Sequence, residues 1–416
     1  MRDQLRIIDA DRHVIEPMEM WRQYLDPQLR DHAPYLERLA LGESLAERRA
    51  RLGDDDALVP LAPELMVDNQ PVLAPRSERT RIELAKVAVA RAAQTGTAQS
   101  ASSHLAAMNH EGIDEAYFYP TVGSFLLAVD TMDSKLAAGF ARAYNNWLRD
   151  FCDTDSARLH GVGLISRHDP HDMISELLRV SDFGWRAVVL RPNPVKGRPL
   201  GHPDYELFWR LCAERSIAVS IHEGTHSRLP TTGYDRFESR FAQHACSHAF
   251  EQMMAFLSLL EAGVLERHPS LRFAFLEAGA GWLPYWLWRL DEVEYAQLAG
   301  EVRGRVSMKP SEYFKRQCFV SIEPEEPNLA QVIDTVGANC LLFGSDFPHF
   351  DHDLDILDTI LKKHQGASTD WINKMLSSNP ERFYGPKPAP TDRRRARQAT
   401  ISGSANEYHA QRNNSV

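Results

Sequence analysis

Eight short apolar segments recur along the chain, and stretches with helical periodicity lie between them. Several are apolar nearly throughout, which is typical of parallel strands covered by helices. Eight repeated β-α units predict a (β/α)8 TIM barrel, an α/β fold. An open doubly wound sheet would usually show a Gly-rich turn after its first strand, and none follows here. The predicted strands are 5–10, 116–120, 159–165, 186–191, 217–222, 271–277, 318–323 and 340–346.

Two parts of the chain fall outside this repeat. Between the first two predicted strands, residues 26–110 contain stretches rich in Arg, Glu and Ala that are broken by prolines. This segment is too long for a plain loop, and we expect a helical insertion that caps one barrel end. Residues 386–416 have almost no apolar periodicity, which predicts a disordered tail. The expected organisation is one barrel domain, 1–385, that includes this cap and is followed by the tail.

Composition narrows the function classes. The 416 residues are 43% hydrophobic and 25% charged, which is enough for a sizeable core. Five cysteines without CxxC spacing favour a reducing cytoplasm over a disulfide framework. The formal net charge of −10 argues against a nucleic-acid partner. Neither a signal segment before the first strand nor a run of about 20 apolar residues is present, so we expect a cytoplasmic protein without a membrane partner.

Polar side chains stand at the carboxyl ends of six predicted strands. Barrel active sites lie at these ends, so the side chains should converge on one mouth. Imidazole and carboxylate ligands from several strands suit Zn, Mn or Fe. Each residue alone could be a core histidine or a helix cap, but their shared register favours a metal site. The strand-end residues are Asp11, His13, Arg191, His222, Glu277, Glu323 and Asp346.

Further histidines follow these strand ends. His226 lies four residues after His222, and His349 lies three after Asp346. We expect both to line the site and to contact substrate, although a water-bound polar rim is an alternative. His248 is expected to open the helix before strand six, where it would serve as a metal ligand or as a catalytic group beside the metal.

Arg191 ends the fourth predicted strand and is flanked by Pro192 and Pro194. A guanidinium held in place in this way suits bidentate binding of a substrate carboxylate or phosphate. The alternative is an internal salt bridge to Glu277 or Glu323.

With these residues in place, the sequence resembles the amidohydrolase-related family 2 proteins, the group of aminocarboxymuconate-semialdehyde decarboxylase. The match covers nearly the whole barrel, through the segments IIDADRHVIEP, FLEAGAGWLPYWLWRLDE, LLFGSDFPH and NPERFYG. By position, the resemblance implies that Asp11, His13, His222 and Asp346 bind a divalent metal. It also implies that Asp346 handles a proton of a metal-bound water, and that the protein is a homodimer.

Two positions depart from the decarboxylase pattern. Asp11-x-His13 stands where better-known relatives have His-x-His, and Glu277-Ala-Gly stands where they have a histidine followed by glycines. The ligand set is therefore richer in carboxylate, which favours Mn or Fe over Zn. One or two ions are compatible with it, and Glu277 is expected to be a ligand.

Three functions remain open. The first is a metal-dependent hydrolase or carboxy-lyase that acts on a small carboxylate or carbonyl compound through a metal-bound water or a metal-chelated substrate. The second is a non-haem di-iron monooxygenase, because the carboxylate-rich set also resembles barrels that act on acyl-thioester, CoA-linked substrates. The third is a catalytically inactive binding protein. We expect the first.

Overall fold

The computed structural model describes residues 5–38, 42–95, 100–222, 228–323, 326–349, 355–363 and 369–385. All eight predicted barrel strands are present, and we number them one to eight in chain order. Strand three is interrupted at Val162, so that it has two halves. The strands are Ile8–His13, Glu115–Tyr119, Leu159–Gly161 with Gly163–Leu164, Ala187–Leu190, Ala218–His222, Phe273–Leu276, Cys318–Ser321 and Leu341–Leu342.

The strands pair in parallel around the barrel. Strand one pairs with strand two, and strand two pairs with the first half of strand three. The second half of strand three begins a ladder that runs through strands four to eight in order. The break at Val162 therefore joins two ladders into one wall, and the backbone N–H of Val162 donates to Phe118 O at 3.2 Å.

The barrel closes between strand one and the segment that follows strand eight. Three backbone hydrogen bonds connect them directly. The approach requires a glycine, because a Cβ on Gly344 would lie 2.6 Å from Asp11 Cβ. The three bonds run from Ala10 N to Phe343 O at 2.8 Å, from Asp346 N to Asp11 O at 2.9 Å, and from His13 N to Phe347 O at 2.8 Å.

Helices cover the outside of the wall by burying apolar faces on it; Ser134–Cys152, for example, buries twelve of its residues. Among the described residues, no helix combines the length and apolar character that a bilayer crossing requires. The α-helices are Met18–Tyr24, Leu45–Leu52, Asp54–Ala57, Glu78–Thr95, Ala101–Glu111, Val122–Leu127, Ser134–Cys152, Pro170–Asp182, Glu206–Glu214, Arg240–Glu261, Val264–Arg267, Leu283–Trp288, Ala296–Leu298, Pro310–Gln317, Leu329–Val336, Ile356–Lys363, Thr369–Asn373 and Asn379–Tyr384. Short 3-10 or π segments are Pro27–His32, Pro203–Tyr205, Arg289–Tyr295, Ala299–Val302, Ala338–Cys340 and Lys374–Ser378.

The insertion between strands one and two is mostly helical, but it also contains a small antiparallel sheet that the sequence analysis missed. Its strands are Tyr35–Glu37, Glu64–Val67 and Gln70–Pro71. Asp68 and Asn69 form the turn between the last two strands, with φ of 50° and 58°. Residues 386–416, for which the sequence predicts a disordered tail, lie outside the described residues.

Candidate metal centre

Asp11 and His13 at the end of strand one meet His222 at the end of strand five. One potential ligand atom from each of the three side chains lies within hydrogen-bond range of the other two, or slightly beyond that range. His13 Nε2 is 3.0 Å from His222 Nε2, and Asp11 Oδ1 is 3.6 Å and 3.5 Å from these two nitrogens. All three side chains are buried. The structure therefore brings these three residues together at one point, and their role as metal ligands stays a prediction.

The orientation of His13 suits a metal ligand. His13 Nδ1 lies 3.2 Å from the carbonyl oxygen of Pro120, and a carbonyl only accepts hydrogen bonds. Nδ1 therefore carries the proton, and the lone pair of Nε2 points toward His222 and Asp11. A second hydrogen bond that fixes the tautomer in this way is the usual arrangement for metal-bound imidazole.

Asp346, after strand eight, brings a second carboxylate to the same point. Its Oδ1 is 3.3 Å from His13 Nε2 and 2.8 Å from His349 Nδ1. The imidazole of His349 stacks on that of His13 at 4.1 Å, and its Nε2 is 2.9 Å from Thr121 Oγ1. Among the described residues, two overlapping groups have the spacing of metal ligands, Asp11–His13–His222 and His13–Asp346–His349.

Glu277, after strand six, faces two different imidazoles. Its Oε2 is 3.4 Å from His222 Nε2, and its Oε1 is 3.5 Å from His248 Nε2. His248 thus reaches the site through Glu277 rather than by direct contact with the Asp11 group. The expectation that His248 opens its helix is wrong: Ser239 caps the helix by accepting a hydrogen bond from Ala242 N, and the helix begins at Arg240.

Glu277 and Asp346 share an uncommon backbone conformation. Their φ angles are 53° and 54°, in the left-handed region that side chains other than Gly, Asn and Asp rarely adopt. Strain of this kind is retained where the surroundings impose it, and it concentrates at functional sites. For Glu277 the surroundings include Ser321, whose Oγ accepts a hydrogen bond from Glu277 N at 3.0 Å.

The charges of the cluster are coupled. Burial raises the pKa of the Asp11 carboxyl. Burial and the neighbouring imidazoles hold the pKa of His13 well below its usual range. Burial lowers the pKa of His222, but the carboxylates of Asp11 and Glu277 outweigh burial and raise this pKa to about 9. Burial raises the pKa of Glu277, but the facing imidazoles outweigh burial and hold this pKa well below its usual range.

These residues fit a divalent metal ion. Asp11 Oδ1 is buried, and among the described residues it accepts no well-formed hydrogen bond; its nearest polar neighbours are the two imidazole nitrogens. A cation between these three atoms would satisfy the carboxylate and would replace the proton that the carboxylates otherwise favour on His222. The mixture of imidazole and carboxylate suits Zn, Mn or Fe.

A buried ion pair beneath the cluster connects strand one to the segment after strand eight. Arg12 Nη1 donates to Asp9 Oδ2 at 3.2 Å and to Glu111 Oε2 at 2.9 Å. Asp9 in turn accepts hydrogen bonds from Ser345 N at 3.0 Å and Ser345 Oγ at 2.5 Å. Because Ser345 precedes Asp346, this network holds the Asp346 carboxylate beside Asp11.

Glu16 is a second support that the sequence analysis did not single out. Its buried carboxylate accepts backbone hydrogen bonds from Val122 N and Gly123 N at 2.9 Å each, and from Thr121 N at 3.3 Å. The segment it fixes carries the Pro120 carbonyl that orients His13. The sequence did contain a signal for this role, because Glu16 follows the strand-end His13 by three residues and directly precedes Pro17.

Glu16→Ala is expected to lower the free energy of unfolding by about 2 kcal/mol, because it leaves buried backbone N–H groups without an acceptor. Metal affinity should fall as well, by about tenfold, since the Pro120 carbonyl is no longer held. Urea unfolding and metal titration measure the two effects. Glu19→Ala, at an exposed position nearby, is the matched control. Stability unchanged by Glu16→Ala would show that these hydrogen bonds contribute little.

The remaining expected site residues have different outcomes. Arg191 directly follows strand four and is buried, and its charge lies close enough to His222 to affect its pKa. Glu323 is exposed at the end of strand seven, so the structure does not place it with the ligand groups. His226 lies outside the described residues.

A sequence model of the amidohydrolase family (Amidohydro_2) matches residues 8–385, which include every residue of the cluster. The chain belongs to the amidohydrolase family. The family resemblance found in the sequence is thereby confirmed, and with it the (β/α)8 barrel.

Known amidohydrolases and decarboxylases resemble this family member at low identity. A 2-amino-3-carboxymuconate-6-semialdehyde decarboxylase from Dictyostelium discoideum is 23% identical over 215 residues, 51% of this chain and 57% of the relative. This chain thus spans just over half the length of that curated relative. An amidohydrolase from Mycobacterium avium subsp. paratuberculosis K-10 is 19% identical, with a TM-score of 0.68 over 92% of this chain and 98% of the other.

A third relative carries a metal. The crystal structure of a dihydroxybenzoic acid decarboxylase from Polaromonas sp. JS666, with bound manganese and the inhibitor 2-nitroresorcinol, is 17% identical. It superposes with a TM-score of 0.60 over 93% of this chain and 98% of its own. At these identities the likeness of the solved structures concerns the fold.

Glu277 is one of the two positions at which this family member departs from the decarboxylase pattern, and Glu277→Gln tests its role. If Glu277 is a ligand, the variant should lose metal at least tenfold more readily, because a neutral amide oxygen replaces a carboxylate, and any second ion should leave first. Metal content measured after dialysis against a weak chelator gives the result. Normal metal content together with weaker substrate binding would instead mean that Glu277 pairs with Arg191 and does not bind the metal.

Proposed function

We propose that this protein is a metal-dependent carboxy-lyase that removes CO2 from a small carboxylic acid without an external oxidant. The observation that carries the proposal is the convergence of Asp11, His13 and His222 beside the Asp346–His349 pair at the carboxyl end of the barrel. The relatives described above include two decarboxylases, which supports this reaction over hydrolysis. Hydrolysis through a metal-bound water remains the nearest alternative within the same site.

Asp11, His13, His222 and Asp346 would hold the ion, with Glu277 as a further ligand. When bound, the metal would polarise a substrate carboxylate and a neighbouring hydroxyl that chelate it. Arg191, buried beside His222, would orient an anionic group of the substrate.

The Asp346–His349 pair would supply the proton. In the reaction the bond between the ring or chain carbon and the carboxylate breaks, CO2 leaves, and a proton takes its place on the carbon. The 2.8 Å contact between Asp346 Oδ1 and His349 Nδ1 lets the two side chains share that proton. Thr121 Oγ1, 2.9 Å from His349 Nε2, fixes the ring. General acid–base groups held in this way contribute about 10²- to 10⁴-fold to rate.

The proposal is tested by metal analysis and by product analysis together. The protein is purified, its metals are counted per chain, and it is assayed with hydroxybenzoates and related carboxylic acids for CO2 release without oxygen. We expect one divalent ion per chain and CO2 release that a chelator stops and added Mn or Zn restores. Release of CO2 from none of these acids by the metal-loaded protein would contradict the proposal.

A second candidate, a non-haem di-iron monooxygenase, is supported by one specific observation. The two oxygens of Glu277 face different imidazoles, those of His222 and His248, so this carboxylate and the two imidazoles could together hold two ions. Two irons per chain and oxygen consumption with an added reductant would favour this function, and a CoA-linked substrate would then be tested first. The homodimer and the cytoplasmic location expected from sequence stay predictions.

A further inference from the structure

The helix Arg240–Glu261 rises above the barrel mouth. Its Gln252 donates through Nε2 to Ile221 O at 3.0 Å and to Leu276 O at 2.9 Å, the last part of strands five and six. Gln252 thus marks the level at which the strands end. The helix runs opposite to the strands, so the three turns before Gln252 stand beyond the rim and form one wall of the entrance.

These turns present a polar face to the site. His248 lies one turn above Gln252 and contacts Glu277. His244 lies one turn higher, and its ring is 4.3 Å from that of His248. Arg240 follows at the same spacing of four residues, so it shares this face. At 1.5 Å per residue, Arg240 is about 12 Å along the helix axis from His248.

A second cationic side chain, Arg76 of the cap, lies near Arg240. Burial lowers the pKa of Arg76 to about 10, and the charges of Arg81 and Arg240 add to this effect. Arg81 is paired with Glu64 at 2.8 Å. Arg76 is half-buried, and its Nε is fully enclosed without a hydrogen-bond partner among the described residues. The carboxylate whose charge also acts on Arg76 is that of Glu64, which Arg81 already occupies.

A partly buried guanidinium without a counter-ion of its own is costly. Such a group is retained where an anion completes it. The charge of Arg240, in the wall of the entrance, acts on Arg76, and this proximity indicates what the anion belongs to. A small free ion would not need a site on the way to the metal centre. An extended substrate whose reacting end lies at the metal would pass His248 and His244 and end at Arg240.

We propose that Arg76 and Arg240 bind an oxyanion, a carboxylate or a phosphate, at the far end of an elongated substrate whose other end reacts at the metal centre. This inference rests on the proposed function for the reacting end. It adds that the substrate is at least dianionic, with its two anionic groups separated by about 12 Å or more.

The test measures binding of linear dicarboxylates of increasing chain length to the metal-loaded full-length protein by calorimetry, with monocarboxylates of the same lengths for comparison. Dicarboxylates long enough to reach Arg76 should bind about 10- to 100-fold more tightly than the monocarboxylates, the range of a charge-assisted contact to a partly buried group. Arg76→Gln should remove this gain. Arg79→Gln, an exposed arginine of the same cap, should keep it.

Three further measurements separate the outcomes. Arg76→Lys, which keeps the charge, should retain part of the gain and shows that the effect is not a failure to fold. A chain-length series without any gain, combined with Arg76-dependent binding of inorganic phosphate, would mean that the site takes a free anion, and would overturn the proposal. Metal content should stay normal in Arg76→Gln. A wild-type protein without metal would contradict the proposed function, whereas phosphate binding at Arg76 would be unaffected.

Discussion

His222→Ala is expected to release the metal and to lower turnover by about 10³-fold or more, while the barrel stays folded. His222 is the ligand contributed by strand five, and its Nε2 lies within 3.6 Å of ligand atoms from both Asp11 and Glu277. Loss of groups that only support a ligand already costs about 10- to 100-fold in metal affinity, so loss of the ligand itself should cost more. Elemental analysis, turnover and circular dichroism measure the three quantities.

His32→Ala is the matched control for this variant, because His32 is half-exposed, pairs with Asp68 in the cap and lies outside the ligand groups. It should keep metal and turnover. Full metal occupancy in His222→Ala would mean that the ion binds elsewhere, and the assignment of the centre would be wrong.

Asp346→Asn is expected to slow the reaction about 10²- to 10⁴-fold even when the variant is saturated with metal. Asparagine has the shape of aspartate and tolerates the left-handed backbone at φ of 54°, so the barrel closure at this residue should persist. It cannot, however, carry the proton that Asp346 shares with His349.

Turnover at increasing metal concentration distinguishes this loss from weaker metal binding. A rate that returns to the wild-type value at high metal would make Asp346 a ligand only. The comparison variant is Ser345→Ala, which removes the hydrogen bonds of the Ser345 hydroxyl to Asp9, Arg12 and Phe347 but no group from the centre. Because this change only loosens the support of Asp346, its rate should fall much less.

The barrel strands could be predicted from sequence because each is a short buried apolar run, and six of the eight predicted strands end in a polar residue. Register then places the end of every strand at one mouth, which is why Asp11, His13 and His222 could be brought together without a structure. The small sheet of the insertion between strands one and two could not be predicted in this way, since its strands are two to four residues long and show no period. Its one signal was the Asp68-Asn69 pair, which suits a tight hairpin turn.

Other parts of the centre depend on contacts that sequence spacing does not encode. His248 sits in the third turn of its helix, because Ser239 begins that helix nine residues earlier. Glu16 acts through backbone N–H groups of a distant segment, beginning 105 residues away at Thr121. The left-handed backbone of Glu277 and Asp346 is imposed by surrounding loops, and neither residue type favours it strongly enough to reveal it.

The closure of the barrel has a consequence for the order in which the protein matures during translation. Strand one leaves the ribosome early, but its partner segment after strand eight follows only near the end of synthesis; the hydrogen bond from Ser345 N to Asp9 Oδ1 spans 336 residues. Until that segment arrives, Asp11 and His13 have neither Asp346 nor the bonds that align them. A nascent chain that lacks this segment would lack Asp346 as well, so we expect the proposed ion to reach its final coordination only after the segment that follows strand eight has been made.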